Sequence, residues 1–179
     1  MGFYFDFESA DAFATGAIGR PGERTFYVQV RAEGRTISMK CEKQQVAELS
    51  RYLRDMLTDL PDSGSANTEN SASLESPVEQ DFVLGSIGLG VDRSNARMVV
   101  QLEEMVALGD DDDVDEQCLI DDDDDDDELP TAVVRVLLTP AQARAFCDAA
   151  DIAVGSGRET CKYCGQPKDL AGHACPRFN

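Results

Sequence analysis

The sequence has no long hydrophobic run, and no stretch approaches the roughly 18 apolar residues that a membrane-spanning helix requires. It has no positive charge before Arg20 and no uninterrupted apolar core near its start, so we expect no signal peptide. Basic residues are scarce, because 16 Lys and Arg stand against 35 Asp and Glu. The sequence therefore predicts a protein without a membrane span and without the basic surface of a nucleic-acid binder.

Most of the negative charge lies in two segments that contain neither Lys nor Arg. Residues 110–128 include 14 acidic side chains, and residues 62–76 include three more, so together they carry all but −2 of the formal charge of −19. Their composition predicts a flexible linker at 62–76 and a disordered, solvated insertion at 110–128. The alternatives for the insertion are loose binding of divalent ions, attraction of a basic partner and mimicry of nucleic acid.

The two remaining blocks resemble each other. The pattern Phe-x-x-Gly-x-Ile-Gly occurs at 13–19 and again at 82–88. In each block the motif is followed by a run of β-branched and aromatic residues, then by a strand of alternating character and a helix. We therefore predict an α+β fold of two β-β-β-α repeats, 1–61 and 77–155, with an antiparallel sheet and a pseudo-two-fold relation.

Helix signals close each block. Apolar residues at spacings of three and four follow Glu42, and Thr139-Pro140-Ala-Gln142 is a capping box with Pro at the first helical position. Cys41 and Cys147 fall in apolar-periodic segments, which predicts buried, inert thiols rather than reactive nucleophiles.

The tail at 156–179 contains the clearest chemical signal. Four ligand-type residues, Cys161, Cys164, His173 and Cys175, lie within 15 positions, which is the complement of a closed tetrahedral zinc site. Cys-x-x-Cys followed by Gly165 is typical of a zinc knuckle, in which a tight turn aims both sulfurs at one point. The alternatives are a redox pair, an iron–sulfur site, a catalytic zinc site, which would keep one position open, and another metal or none. The first would require a βαβ context, and the second would prefer a fourth Cys.

A second, weaker candidate site lies on the loop after the first Phe-x-x-Gly-x-Ile-Gly motif and at the start of the first helix. Arg20, Glu23, Arg24, Glu42 and Lys43 would present charge to an anionic ligand there. The alternatives are a solvated hairpin with a type II turn at Pro21-Gly22, and simple helix capping at Glu42. No serine-hydrolase or phosphate-loop pattern is present, so no catalytic residue is assigned.

Several of these motifs together resemble the actinobacterial domain-of-unknown-function family 3090. They are Gly-x-Pro-Gly-x-Arg-x-Phe at 19–26, Glu-Lys-x-Gln at 42–45, the second glycine motif at 82–90, Thr-x-x-Gln-Ala-Arg-Ala-Phe at 139–146 and the terminal Cys/His pattern at 161–179. The resemblance implies one fold through the repeats and a metal-binding tail, and it implies no activity.

The sequence thus predicts a cytoplasmic, non-enzymatic protein whose structural zinc knuckle serves binding of a partner protein or ligand. Clustered Cys without a secretory signal favour the reducing compartment. The alternative function is an enzyme or sensor that acts on an anionic or phosphorylated small molecule through the Arg/Glu/Lys cluster.

Overall fold

The computed structural model describes residues 2–60, 72–106, 131–157, 160–166, 168 and 173–178. The predicted insertion at 110–128, with Cys118, and most of the predicted linker lie outside the described residues. The described elements are seven strands and two helices. They are β1 Tyr4–Phe7, β2 Ala12–Ile18, β3 Thr25–Ala32, β4 Arg35–Cys41, α1 Lys43–Leu57, β5 Phe82–Asp92, β6 Arg97–Glu104, β7 Val133–Leu138 and α2 Pro140–Gly155.

The strands form one mixed sheet in the order β1-β7-β6-β5-β4-β3-β2. The α+β class is confirmed, but an entirely antiparallel sheet is wrong, because β4 pairs with β5 and β1 with β7 in parallel. Two parallel neighbours require a crossover connection, which α1 supplies between β4 and β5. The sequence analysis did not predict β1, which adds to the outer side of β7.

The predicted pseudo-two-fold is also wrong. Strands β2-β3-β4 and β5-β6-β7 occur in the same order across the sheet and run in the same directions, because the pair that joins them is parallel. A two-fold axis would reverse either the order or the directions. The two β-β-β-α blocks therefore follow each other head to tail, and their superposition as true repeats stays a prediction.

Alternation along the strands builds the core, as the pattern predicted. Residues 26, 28 and 30 of β3 face the same side as 37, 39 and 41 of β4, and 98, 100 and 102 of β6 match 134, 136 and 138 of β7. Both helices pack on this side, where Phe146 of α2 stacks on Phe13 of β2 with ring centroids 4.5 Å apart. None of the helices in the described ranges is long and apolar enough to cross a membrane.

Residues 72–76, which composition assigned to the flexible linker, lie against the opposite side of the first block. Ala72 is buried, and its carbonyl accepts a 3.3 Å hydrogen bond from the Thr15 N–H. Gln29 is fully buried beneath this segment, and its amide exchanges hydrogen bonds with the Glu75 backbone at 2.7 and 3.3 Å. The segment therefore provides hydrogen-bond partners for a buried polar side chain that lies on the side of the sheet opposite the helices.

Candidate functional site

The Cys/His residues of the tail come together in space. The sulfurs of Cys161, Cys164 and Cys175 and a ring nitrogen of His173 all lie within 4.8 Å of one another. Cys161 and Cys175 have their sulfurs 3.9 Å apart, and the Cys164 sulfur is 3.1 Å from His173 Nε2. Ligands about 2.0–2.3 Å from one tetrahedral ion are about 3.5–3.8 Å from each other, so the group could hold a metal ion such as zinc.

Two local turns aim these side chains inward. In the first, the Gly165 N–H donates to the Cys161 carbonyl at 2.8 Å, and Gly165 adopts a φ of 73°, a left-handed conformation that glycine tolerates best. The Cys161 N–H in turn donates to the Gln166 carbonyl at 2.7 Å. In the second turn, the Phe178 N–H donates to the Cys175 carbonyl at 3.0 Å. The backbone hydrogen bonds of each turn thus fix the positions of the cysteines that it contains.

Backbone donors also prepare the first sulfur for ligation. The N–H groups of Cys164 and Tyr163 donate to the Cys161 sulfur, which lowers the pKa of that thiol to about 6. A thiolate, not a thiol, binds metal, so this sulfur is ready to ligate near neutral pH. The Arg177 N–H likewise lowers the pKa of Cys175, but burial and the neighbouring cysteines outweigh it and leave that pKa raised.

An exposed aromatic pair borders the cluster. Tyr163 from the first turn and Phe178 from the second meet edge to face, with centroids 4.8 Å apart. Tyr163 is 48% exposed and Phe178 70% exposed, and the Lys162 ammonium lies 5.0 Å from the Tyr163 ring centroid. No sequence pattern singled out these rings, although Tyr163 precedes Cys164 directly and Phe178 follows Cys175 by three residues.

The burial predicted for Cys41 and Cys147 is confirmed. Cys41 and Cys147 are 5% and 1% exposed. Burial raises the pKa of Cys41 to about 12 and also raises the pKa of Cys147, so both thiols stay protonated at neutral pH. Neither is placed to act as a nucleophile.

The residues of the predicted anion site have separate local roles. Arg20 and Glu23 are exposed on the β2–β3 turn, where the Glu23 N–H donates to the Arg20 carbonyl at 2.9 Å and Gly22 has a φ of 100°. This is the type II turn that Pro21-Gly22 predicted. Glu42 is the N-cap of α1, and its N–H donates to Gln45 Oε1 at 2.8 Å.

Arg24 and Lys43, by contrast, meet near the C-terminal end of α2. Arg24 Nη1 donates to the Ser156 hydroxyl at 2.7 Å and to the Ala153 carbonyl at 3.2 Å. A Cβ placed on Gly157 would lie 3.4 Å from Arg24 Nη2 and 3.6 Å from Lys43 Nζ. The fold therefore brings together two of the five predicted residues, both of them cations.

The chain belongs to the family described as "Protein of unknown function (DUF3090)", whose profile matches residues 5–175. The matched region includes both β-β-β-α blocks and all four Cys/His residues. No curated protein and no solved structure matches the chain. The resemblance inferred from the motifs is thus confirmed.

Proposed function

We propose that this member of the family binds one structural zinc ion through Cys161, Cys164, His173 and Cys175. The observation that carries the proposal is the convergence of four ligand atoms within 4.8 Å. Three thiolates and one imidazole fill all four tetrahedral positions, which favours a structural over a catalytic ion. The tail at 156–179 is then a zinc knuckle whose folding energy comes largely from the metal.

The knuckle would serve as an interaction module for a protein partner in the cytoplasm. The exposed Tyr163–Phe178 pair supports this role, because an aromatic patch fixed at both ends by a metal site presents a rigid apolar surface. Aromatic residues are enriched where protein interfaces gain most of their binding energy. Catalysis is not part of the proposal, since the single His of the sequence would be a zinc ligand.

The proposed organisation keeps the predicted boundaries. The first unit spans 1–61, the linker 62–76, the second unit 77–155 with the acidic insertion at 110–128, and the knuckle 156–179. Residues 72–76 would act as a packed end of the linker, since they contact β2 and β3. The two units would be tandem repeats that share one sheet.

A second candidate function is binding of a small anionic ligand, as a sensor or an enzyme would require. The observation that favours it is the meeting of Arg24 and Lys43 beside Gly157. Glu42 and Glu23 have the local roles described above, so the pair of cations is the part of the predicted cluster that supports binding.

Metal analysis of the purified full-length protein tests the primary proposal. We expect one equivalent of zinc in the native chain and loss of tight binding in Cys161→Ser, with the repeat core still folded by circular dichroism. Cys41→Ser is the matched control, because Cys41 lies on β4 and should leave the zinc content unchanged. Stoichiometric zinc in Cys161→Ser would contradict the assignment.

A binding assay tests the interaction role separately. Phe178→Ala removes half of the aromatic pair and none of the ligands, so it should retain zinc and lose partner capture. Chelation of zinc should also abolish capture. If Phe178→Ala and the chelated protein both capture the same partner as the native chain does, the knuckle is not the interaction surface.

A further inference from the structure

A groove runs beside the edge strand of the sheet, at a place that none of the zinc ligands lines. It lies between β2, the C-terminal half of α2 and residues 72–76, and its volume is about 450 Å³. That volume is within the range of sites for small organic ligands. The groove is therefore large enough for a bound molecule and is built from three separate parts of the described chain.

The lining is apolar or small, with one ionisable side chain. Ile18 and Ile152 border it and are 48% and 73% exposed, and Leu74 is half-buried within it. Arg24 is the single charged residue among those that line the groove. An apolar channel with one cation is the chemistry that recognises an amphipathic anion.

Structure fixes this cation in place. The hydrogen bonds from Arg24 Nη1 to Ser156 and to the Ala153 carbonyl hold the guanidinium at the end of α2. The other terminal nitrogen, Nη2, points towards Gly157, where Lys43 Nζ also lies. The two charged nitrogens are therefore no more than about 7 Å apart.

Both cations lack a carboxylate partner among the residues that the structure describes. The ion pairs recorded there join Arg31 to Glu75, Arg54 to Asp151 and Arg135 to Asp6. Two like charges within about 7 Å of each other repel, although the C-terminal end of α2 offsets part of that cost. An anion between them would remove the repulsion and accept hydrogen bonds from both.

We propose that the groove binds a small amphipathic carboxylate, with an aliphatic chain along Ile18, Leu74 and Ile152 and the carboxylate at Arg24 and Lys43. The chain would cover side chains that are otherwise exposed to water, which supplies the apolar part of the affinity. The carboxylate would accept charge-assisted hydrogen bonds from the guanidinium, which supplies head-group selectivity.

Calorimetric titration of the full-length, zinc-loaded protein tests the proposal, with decanoate below its micelle concentration as the probe. We expect saturable 1:1 binding of decanoate and much weaker binding of 1-decanol, which has the same chain without the charge. Arg24→Gln should weaken decanoate binding about tenfold or more, as expected for a lost hydrogen bond between charged groups. Arg51→Gln is the matched control, because Arg51 lies on α1 outside this groove.

A second variant separates binding from folding. Arg24 also caps α2, so Arg24→Gln could loosen the helix, whereas Ile152→Glu changes an exposed side chain and places a negative charge in the groove. Ile152→Glu should keep the native melting temperature and lose decanoate binding.

Three outcomes would overturn the proposal. The first is non-saturable binding of decanoate, and the second is affinity unchanged in both Arg24→Gln and Ile152→Glu. The third is preference for an apolar hexapeptide with a free C-terminus over decanoate. The last result would assign the groove to binding of a peptide.

Discussion

The cysteines illustrate how one residue type takes opposite roles within this chain. Cys161 lies in a turn where backbone N–H groups stabilise its thiolate and lower its pKa to about 6, whereas Cys41 lies in the core, where burial raises its pKa to about 12. Sequence context predicted both roles, because Cys161 stands in a Cys-x-x-Cys-Gly pattern and Cys41 in an alternating strand. The pKa of each thiol depends on the contacts of its sulfur, and these contacts are visible only in the folded chain.

The pKa of Cys41 predicts alkaline destabilisation. Above about pH 8.5 the thiol ionises in the unfolded chain but stays protonated in the folded one. Ionisation therefore stabilises the unfolded state relative to the native state as the pH rises. The contribution of Cys41 should lower the free energy of unfolding by at most about 1.4 kcal/mol per pH unit between about pH 8.5 and 12. Urea denaturation of the native chain and Cys41→Ala across this range measures the difference in slope. Equal slopes would contradict a buried, neutral Cys41.

The groove and its surroundings combine residues that the sequence patterns selected with residues that they did not. Arg24 and Lys43 were selected as loop and helix-start cations, and the fold does bring them together. Ile18 and Ile152 were not selected, because their exposure depends on how β2 and α2 pack. Packing of elements far apart in sequence therefore decided which of the predicted residues lie together.

At the scale of elements, the capping and turn signals gave the best predictions. Thr139 caps α2 with Pro140 at its first turn, and the Thr139 hydroxyl accepts the Gln142 N–H at 3.1 Å. These signals depend on three or four adjacent residues, so the sequence contains all the information that they need. Strand β1 and the packed end of the linker were missed because their partners, β7, β2 and β3, lie far away along the chain.

The packed segment at 72–76 makes Gln29→Ala a sensitive test. Removal of this amide would leave the Glu75 N–H without its 2.7 Å acceptor in a partly buried place. We expect a loss of about 1–3 kcal/mol in the free energy of unfolding. Gln101→Ala is the matched control, since Gln101 is half-buried on β6 and donates to the Glu103 side chain.

Chemical denaturation of both variants gives the comparison. A clearly larger loss in Gln29→Ala would support the packing of 72–76 against the sheet. Losses of equal size in the two variants would show that residues 72–76 do not stabilise the fold, as a flexible linker would not.

At the scale of the whole molecule, the sheet order explains why the repeat pattern did not predict the symmetry. The motif at 13–19 and its copy at 82–88 indicate two similar strand runs, but they contain nothing about which strands meet at the junction. The parallel β4–β5 pair determines the head-to-tail arrangement. A parallel pair needs a crossover connection, here residues 42–81 with α1 and the packed segment 72–76, and a local pattern does not encode where that connection leads.

The acidic insertion should be dispensable for folding. Both ends of the β6–β7 connection are already tied together, since the Glu104 N–H donates to the Ala132 carbonyl at 2.8 Å and the Ala132 N–H to Glu104 Oε2 at 3.0 Å. Deletion of residues 110–128 should therefore leave the melting temperature within about 2 °C at moderate salt. At low salt it should rise slightly, because mutual repulsion of the acidic side chains is removed.

Thermal unfolding of the deleted and native chains at two salt concentrations measures this effect. The deletion removes no residue of β6 or β7, so a change in stability would report on the insertion itself. A fall of more than about 5 °C would mean that the insertion packs against the folded chain.

We propose above that the tail holds one zinc ion through three sulfurs and one nitrogen. Zinc X-ray absorption spectroscopy of the full-length protein tests the ligand set directly. We expect a first shell of three sulfur scatterers at about 2.3 Å and one nitrogen at about 2.0 Å, with one equivalent of metal. A shell of oxygen and nitrogen alone, or one with fewer than three sulfurs, would contradict it.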